Sequence, residues 1–137
     1  MIIRCRCILE NEEGKIFVVK QRPEYNFFSL PGGKLDEDES TLECISRELY
    51  EELGMKIIPT LRVVHELISI DSLEFIFYAK ISESMLQIEH ASHAFELHGT
   101  EFVDTLTTGK IIYPEFISDE SFLEWLHTES GLRYILN

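Results

Sequence analysis

Positive charge is scarce in this chain. Twelve Lys and Arg stand against 25 Asp and Glu, for a formal net charge of −13. So acidic a chain lacks the positive footprint that DNA, RNA and anionic membranes require, which excludes a nucleic-acid polymer or a lipid surface as its general partner. A phosphate compound would be repelled unless something neutralised the charge, and a bound divalent cation is the obvious candidate. Cysteine is sparse too. Cys5, Cys7 and Cys44 cannot make a disulfide framework, and Cys5 and Cys7, two apart on a strand, share a face and are badly placed to bridge. They read as reduced core thiols. No apolar run approaches the roughly 20 residues of a membrane span. Arg4, Arg6 and Glu10 interrupt the N-terminal apolar stretch and spoil it as a signal peptide. Repeats, low-complexity tracts and linkers are absent. The expectation is one soluble, cytoplasmic domain over residues 1–137, with the 45% apolar residues filling its core. A monomer or a homodimer fits it, given the apolar tail Leu132–Leu136.

The chain then sorts into elements. Met1 to Leu9 reads as a strand, and the turn signal Asn11-Glu12-Glu13-Gly14 returns it into a second strand, Lys15 to Lys20. Residues 21–33 form a loop closed by Leu30-Pro31-Gly32-Gly33, where backbone can come close to a ligand. Ser40 and Glu43 fit a capping box, and Gly54 stops the helix they open. Leu42, Ile45, Leu49 and Leu53 recur along it at helical spacing as one apolar stripe. Lys56–Ile68 and Leu73–Ile81 look like strands about a turn at Asp71-Ser72. A long polar loop at 82–99, a short strand at Thr100–Val103 and a second helix within Pro114–Thr128 follow. The order indicates an α+β or mixed α/β/α domain.

Chemistry concentrates on the first helix, in Arg47-Glu48-Leu49-Tyr50-Glu51-Glu52. At about 100° per residue, Glu48, Glu51 and Glu52 share one face, roughly 120° around from the apolar stripe and so partly exposed. Like charges at these spacings cost a helix a few tenths of a kcal/mol per pair. Three converging carboxylates make an oxygen-rich site suited to Mg²⁺ or Mn²⁺ and not to zinc. Standing alone, such a run would read as a solvated acidic face.

It does not stand alone. The string Gly33-x5-Glu39-x7-Arg47-Glu48-Leu49-x-Glu51-Glu52-x-Gly54-Met55 resembles the Nudix box, the signature of the Nudix hydrolase family, with Leu49 and Met55 at its two apolar positions. Leu30-Pro31-Gly32-Gly33 just before it also looks like the family. The resemblance implies an α/β/α sandwich around a central mixed β-sheet, and hydrolysis of a nucleoside diphosphate linked to another group X. It implies Glu51 and Glu52 as principal metal ligands, and Glu48 as ligand, general base or both. A backbone carbonyl at Gly32 or Gly33 would complete the coordination, and an Arg47–Glu39 ion pair would orient the helix face. A further glutamate from a late loop would be Glu96, with Glu101 as its competitor.

The chemistry agrees with that transfer. Mg²⁺ between carboxylates and phosphate turns repulsion into attraction and acidifies a bound water, and a nearby carboxylate takes the proton. Arg6, Lys20 and Arg22 are the basic residues nearest the box, and Phe27 and Phe28 could stack on a base. Arg6, Arg22 and Phe28 are the candidates for substrate contact. His90, His93 and His98 read as polar loop surface, without the closely held imidazoles or thiolates that zinc wants. The stretch Ile68-Ser69-Ile70 lacks the proline of ADP-ribose-specific members and the tyrosine of those acting on dinucleoside polyphosphates, and no arginine-rich coenzyme A pattern precedes Pro31. These departures favour a nucleoside triphosphate or related small nucleotide. A domain that senses a nucleotide without cleaving it is the alternative, and the full glutamate set argues against it.

Overall fold

The computed structural model describes residues 1–137. A nine-stranded mixed sheet is built on β1 (Ile2–Glu10), whose isoleucines and cysteines, interrupted by Arg4 and Arg6, give a strand buried on both faces in its second half. Along one side β1 pairs in parallel with β6 (Ser72–Lys80) over its whole length. Its other side is shared. Glu10 pairs antiparallel with β2 (Ile16–Val19), while Arg4, Cys5 and Arg6 pair with β4 (Gly32–Lys34). The spatial order is β8-β3-β2-β1-β6-β5-β9, with β3 at Phe28–Ser29, β5 at Thr60–Leu67, β8 at Ile112–Tyr113 and β9 at Arg133–Leu136. β7 (Thr100–Val103) lies antiparallel beside β2.

The alternation of β1 sends its residues to two cores. Cys5, Cys7 and Leu9 face helix α1 (Thr41–Leu53), packing with Cys44, Ile45, Leu49 and Leu53. Ile8 faces helix α2 (Glu120–Thr128), in a cluster with Phe122 and Leu126. One helix therefore covers each sheet face, which gives the expected α/β/α sandwich. No helix is long and apolar enough to cross a membrane.

Several expectations need refinement. The 21–33 loop contains β3 and the start of β4, and the 82–99 loop contains three 3₁₀ turns. The second helix begins only at Glu120, behind a 3₁₀ turn at Glu115–Ser118. In α1 the buried stripe runs through Cys44 rather than Leu42, which is 40% exposed.

Candidate active site

Local chemistry fixes the helix that carries the box. Ser40 Oγ accepts from the Glu43 amide at 3.1 Å, and Glu43 Oε1 accepts from the Ser40 amide at 2.9 Å. At the other end Gly54 adopts φ +68°, which glycine tolerates, and a side chain there would collide with Gln87. The Gln87 amide in turn donates to the Leu53 carbonyl at 2.8 Å, so the 82–99 segment is tied to the end of α1.

Arg47 organises the face. Its guanidinium grips Glu39 in two bonds, Nε to Oε2 at 2.7 Å and Nη2 to Oε1 at 3.2 Å. Nη1 donates to Glu48 at 3.0 Å and to Glu51 at 3.3 Å, and Nη2 reaches the Lys34 carbonyl at 3.3 Å. One residue thereby ties the loop before the helix, the β4 backbone and two box glutamates together. The Arg47 bond holds the Glu39 carboxyl below its ordinary range, against a smaller opposing effect of burial. Arg47, with four carboxylates around it, holds its proton more tightly than usual, chiefly through Glu39.

Glu48 lies against Gly33. A Cβ at Gly33 would overlap its carboxylate, so the glycine leaves the room that Glu48 occupies. Glu48 and Glu52 line a cleft of about 310 Å³ together with Gly32, Gly33, Gln21, Arg22, Lys34, Glu96 and Leu97. Glu52 is buried, only 4% exposed, and its Oε2 has no hydrogen-bond partner. Burial pushes its carboxyl up to about 9, reinforced by the Glu48 carboxyl beside it and by the charges of Glu96 and Glu51. Glu48 and Glu51 are partly exposed, as the helical wheel indicates, and Glu52 is not, because the folded 82–99 segment covers that side of α1.

The sequence candidates distribute unevenly. Glu48, Glu52, Glu96, Gly33 and Arg22 come together in the cleft. Glu51 lies outside its lining, bound to Arg47 and to His93 Nδ1 at 3.0 Å. No three His, Cys, Asp or Glu side chains are gathered as a ready metal cage. Glu101 sits on β7 in an ion pair with Lys110. Arg6 is on the opposite side of the sheet from α1, with Nε on Glu74 at 2.7 Å. Phe28 is half-buried, with the Lys20 and Lys110 ammonium groups 5.8 and 5.0 Å from its ring centre. A second cavity, about 260 Å³, is lined by Arg4, Arg6, Gln21, Tyr25, Phe27, Ser29 and Tyr113. It takes Phe27 rather than its neighbour Phe28. Arg4 and Tyr25 were missed by the sequence reading, although Arg4 shares a strand face with Arg6.

The donor set fits a divalent cation: an orphaned buried carboxylate oxygen, further carboxylates around it, the adjoining backbone of Gly33, and no soft ligand in the cleft.

Comparison with known proteins agrees with this geometry. A family model described as the NUDIX domain matches residues 3–126. Among solved structures, a MutT protein from Methanosarcina mazei Go1 superposes with a TM-score of 0.69 at 21% identity, covering 93% of this chain and 96% of that one. An ADP-ribose pyrophosphatase from Streptococcus suis 89-1591 gives 0.72 at 16% identity, over 99% and 98%. A NUDIX hydrolase from Nitrosomonas europaea gives 0.73 at 20% identity, over 99% and 79%. At these identities the likeness is one of fold. No curated protein matches the chain significantly by sequence.

Proposed function

The chain belongs to the Nudix hydrolase family, and from that premise we propose that it hydrolyses a phosphoanhydride in a nucleoside diphosphate linked to X, a nucleoside triphosphate or related small nucleotide, with Mg²⁺ or Mn²⁺ as cofactor. The observation that carries this reading is the convergence of Glu48, the unsatisfied Glu52 and Glu96 on one cleft beside Gly33. Glu48, Glu52, Glu96 and the Gly33 carbonyl would hold the cation, with Glu51, beside them on α1 but outside the cleft lining, as the further ligand the box implies. When bound, it neutralises phosphate charge, polarises phosphorus and lowers the pKa of water.

The chain's own residues supply the rest. Arg47 fixes the Glu48 carboxylate through a 3.0 Å bond, so its orientation is set before substrate arrives. Glu48, its side chain 12% exposed, has access to the cleft and a free oxygen with which to accept a proton from the attacking water. Glu39 keeps Arg47 in place through two bonds and is not among the residues that line the cleft. Arg22 and Lys34 are the cations lining the cleft, and the Arg22 side chain is held only by a 3.8 Å contact to Glu24 and so is available to a phosphate.

The test is phosphate release from canonical and oxidised triphosphates, ADP-ribose, sugar nucleotides and dinucleoside polyphosphates with Mg²⁺, for the wild type and Glu48→Gln. Turnover falling by about 10²–10⁴-fold in the variant, with an unchanged circular-dichroism spectrum, is the expected result. A variant that keeps its activity would refute the assignment of Glu48. A wild type that binds nucleotides yet returns them uncleaved would make the chain a sensor.

A further inference from the structure

The cavity of Arg4, Arg6, Gln21, Tyr25, Phe27, Ser29 and Tyr113 adjoins the carboxylate cleft, since Gln21 lines both. Its composition is unlike the rest of the molecule. In a chain of net charge −13, two arginines line it and no carboxylate does. Tyr25 and Phe27 stack on each other, with ring centres 4.8 Å apart and planes 15° from parallel, and so present a flat aromatic wall.

The two arginines are held differently. No side-chain hydrogen bond or ion pair within the chain engages Arg4. Arg6 is clamped: Nε donates to Glu74 at 2.7 Å and Nη1 to the Leu30 carbonyl at 3.1 Å. Glu74 is buried, and its other oxygen lies 3.3 Å from Nδ1 of the buried His65. His65 is bound at its second nitrogen by Asn137 at the end of the chain. Burial alone would raise the Glu74 carboxyl, but His65 and Arg6 more than offset it and leave it below its ordinary value. Five guanidinium N–H donors minus two leave Arg6 able to donate into the cavity.

We propose that this cavity seats the heterocyclic base of the substrate and selects bases with a ring carbonyl, guanine or uracil, over their amino counterparts, with Glu74 a positioning residue for Arg6. The assignment of the phosphates to the neighbouring cleft rests on the hydrolase reading above. A planar ring stacks on the Tyr25–Phe27 wall. The charged groups facing it are donors only. They match the O6 and N7 of guanine or the O4 of uracil, whereas the amino group of adenine or cytosine would point a donor at the two guanidiniums and find only the neutral oxygens of Gln21, Ser29 and the tyrosines as acceptors. A well-placed guanidinium pair is worth about tenfold or more in such discrimination.

The test separates base from phosphate. GMP, UMP, AMP and CMP carry the same phosphate and need no hydrolysis, so their affinities for the full chain, by calorimetry without metal, report the base alone. GMP and UMP are expected to bind about tenfold tighter than AMP and CMP, and Arg4→Met is expected to collapse that ratio towards one. Equal binding of all four, or an Arg4→Met variant weakened equally for all four, overturns the proposal, the second result making Arg4 a phosphate contact. These outcomes are independent of turnover, which alone decides the hydrolase reading. For Glu74, the Glu74→Gln variant is expected to raise KM for the keto-base nucleotide several-fold with kcat nearly unchanged, and Glu74→Asp to restore part of it. A Glu74→Gln protein of lower Tm but unchanged base preference assigns Glu74 a structural role only.

Discussion

Gly33 shows how narrow the tolerances are at single positions. Its place in the site is set by the Glu48 carboxylate, which occupies the volume where a Cβ would stand. The backbone there is in no strained region, so Gly33→Ala is expected to fold with near-normal stability. Glu48 would have to move, and a displacement of about 1 Å at a reacting group costs on the order of 10²-fold in rate. Steady-state kinetics beside a thermal melt would separate the two: a large loss of kcat with little change in Tm is the expected pattern. The sequence showed that a glycine stands here, but not what fills the space beside it. The same holds for the aromatics. Adjacent side chains on an extended segment point to opposite sides, so Phe27 and Phe28 could not both reach one cavity. Only the placement of Lys20 and Lys110 against Phe28, and of Tyr25 against Phe27, decides which does.

At the level of elements, α1 was legible almost to the residue because three independent signals coincide: a capping box, a helical apolar period, and a glycine that ends it in the left-handed region. The cap is also a testable contribution. Ser40→Ala removes the acceptor for the Glu43 amide and should cost about 1 kcal/mol of stability, read as a lower midpoint in urea at unchanged slope. The strands that escaped the sequence reading did so for a physical reason. β3 and β8 have two residues each and β4 three, too short to show a period of two, and the four residues of β9 lie in what reads as an apolar tail. Their existence depends on partners: β4 exists because β1 offers it Arg4 to Arg6 once β2 has paired only at Glu10. The burial of Glu52 escaped for a related reason. A helical wheel sees only its own helix, whereas the 82–99 segment, bonded to α1 at Leu53 and Glu51, closes over that side.

At the level of the whole molecule, a buried polar connection runs through the α2 side of the sheet. Arg6 on β1, Glu74 on β6, His65 on β5 and Asn137 at the chain end join residues up to 72 positions apart. A buried carboxylate held by two partners ties global stability to acid. Glu74 titrates at its ordinary 4.5 in the unfolded chain and below that when folded. The folded state therefore binds fewer protons, and the stabilisation is complete above about pH 5 and is lost as the pH falls through the folded value. Glu74→Gln leaves the Arg6 charge buried without its counter-ion, and removing one partner of a buried pair costs about 3–5 kcal/mol. At neutral pH the variant should thus be clearly less stable than the wild type by urea denaturation. As the pH drops from about 5 towards 3, the wild type should lose stability faster and the gap should narrow. A gap that stays constant over that range would mean that the Glu74 charge contributes nothing and that packing alone explains the loss.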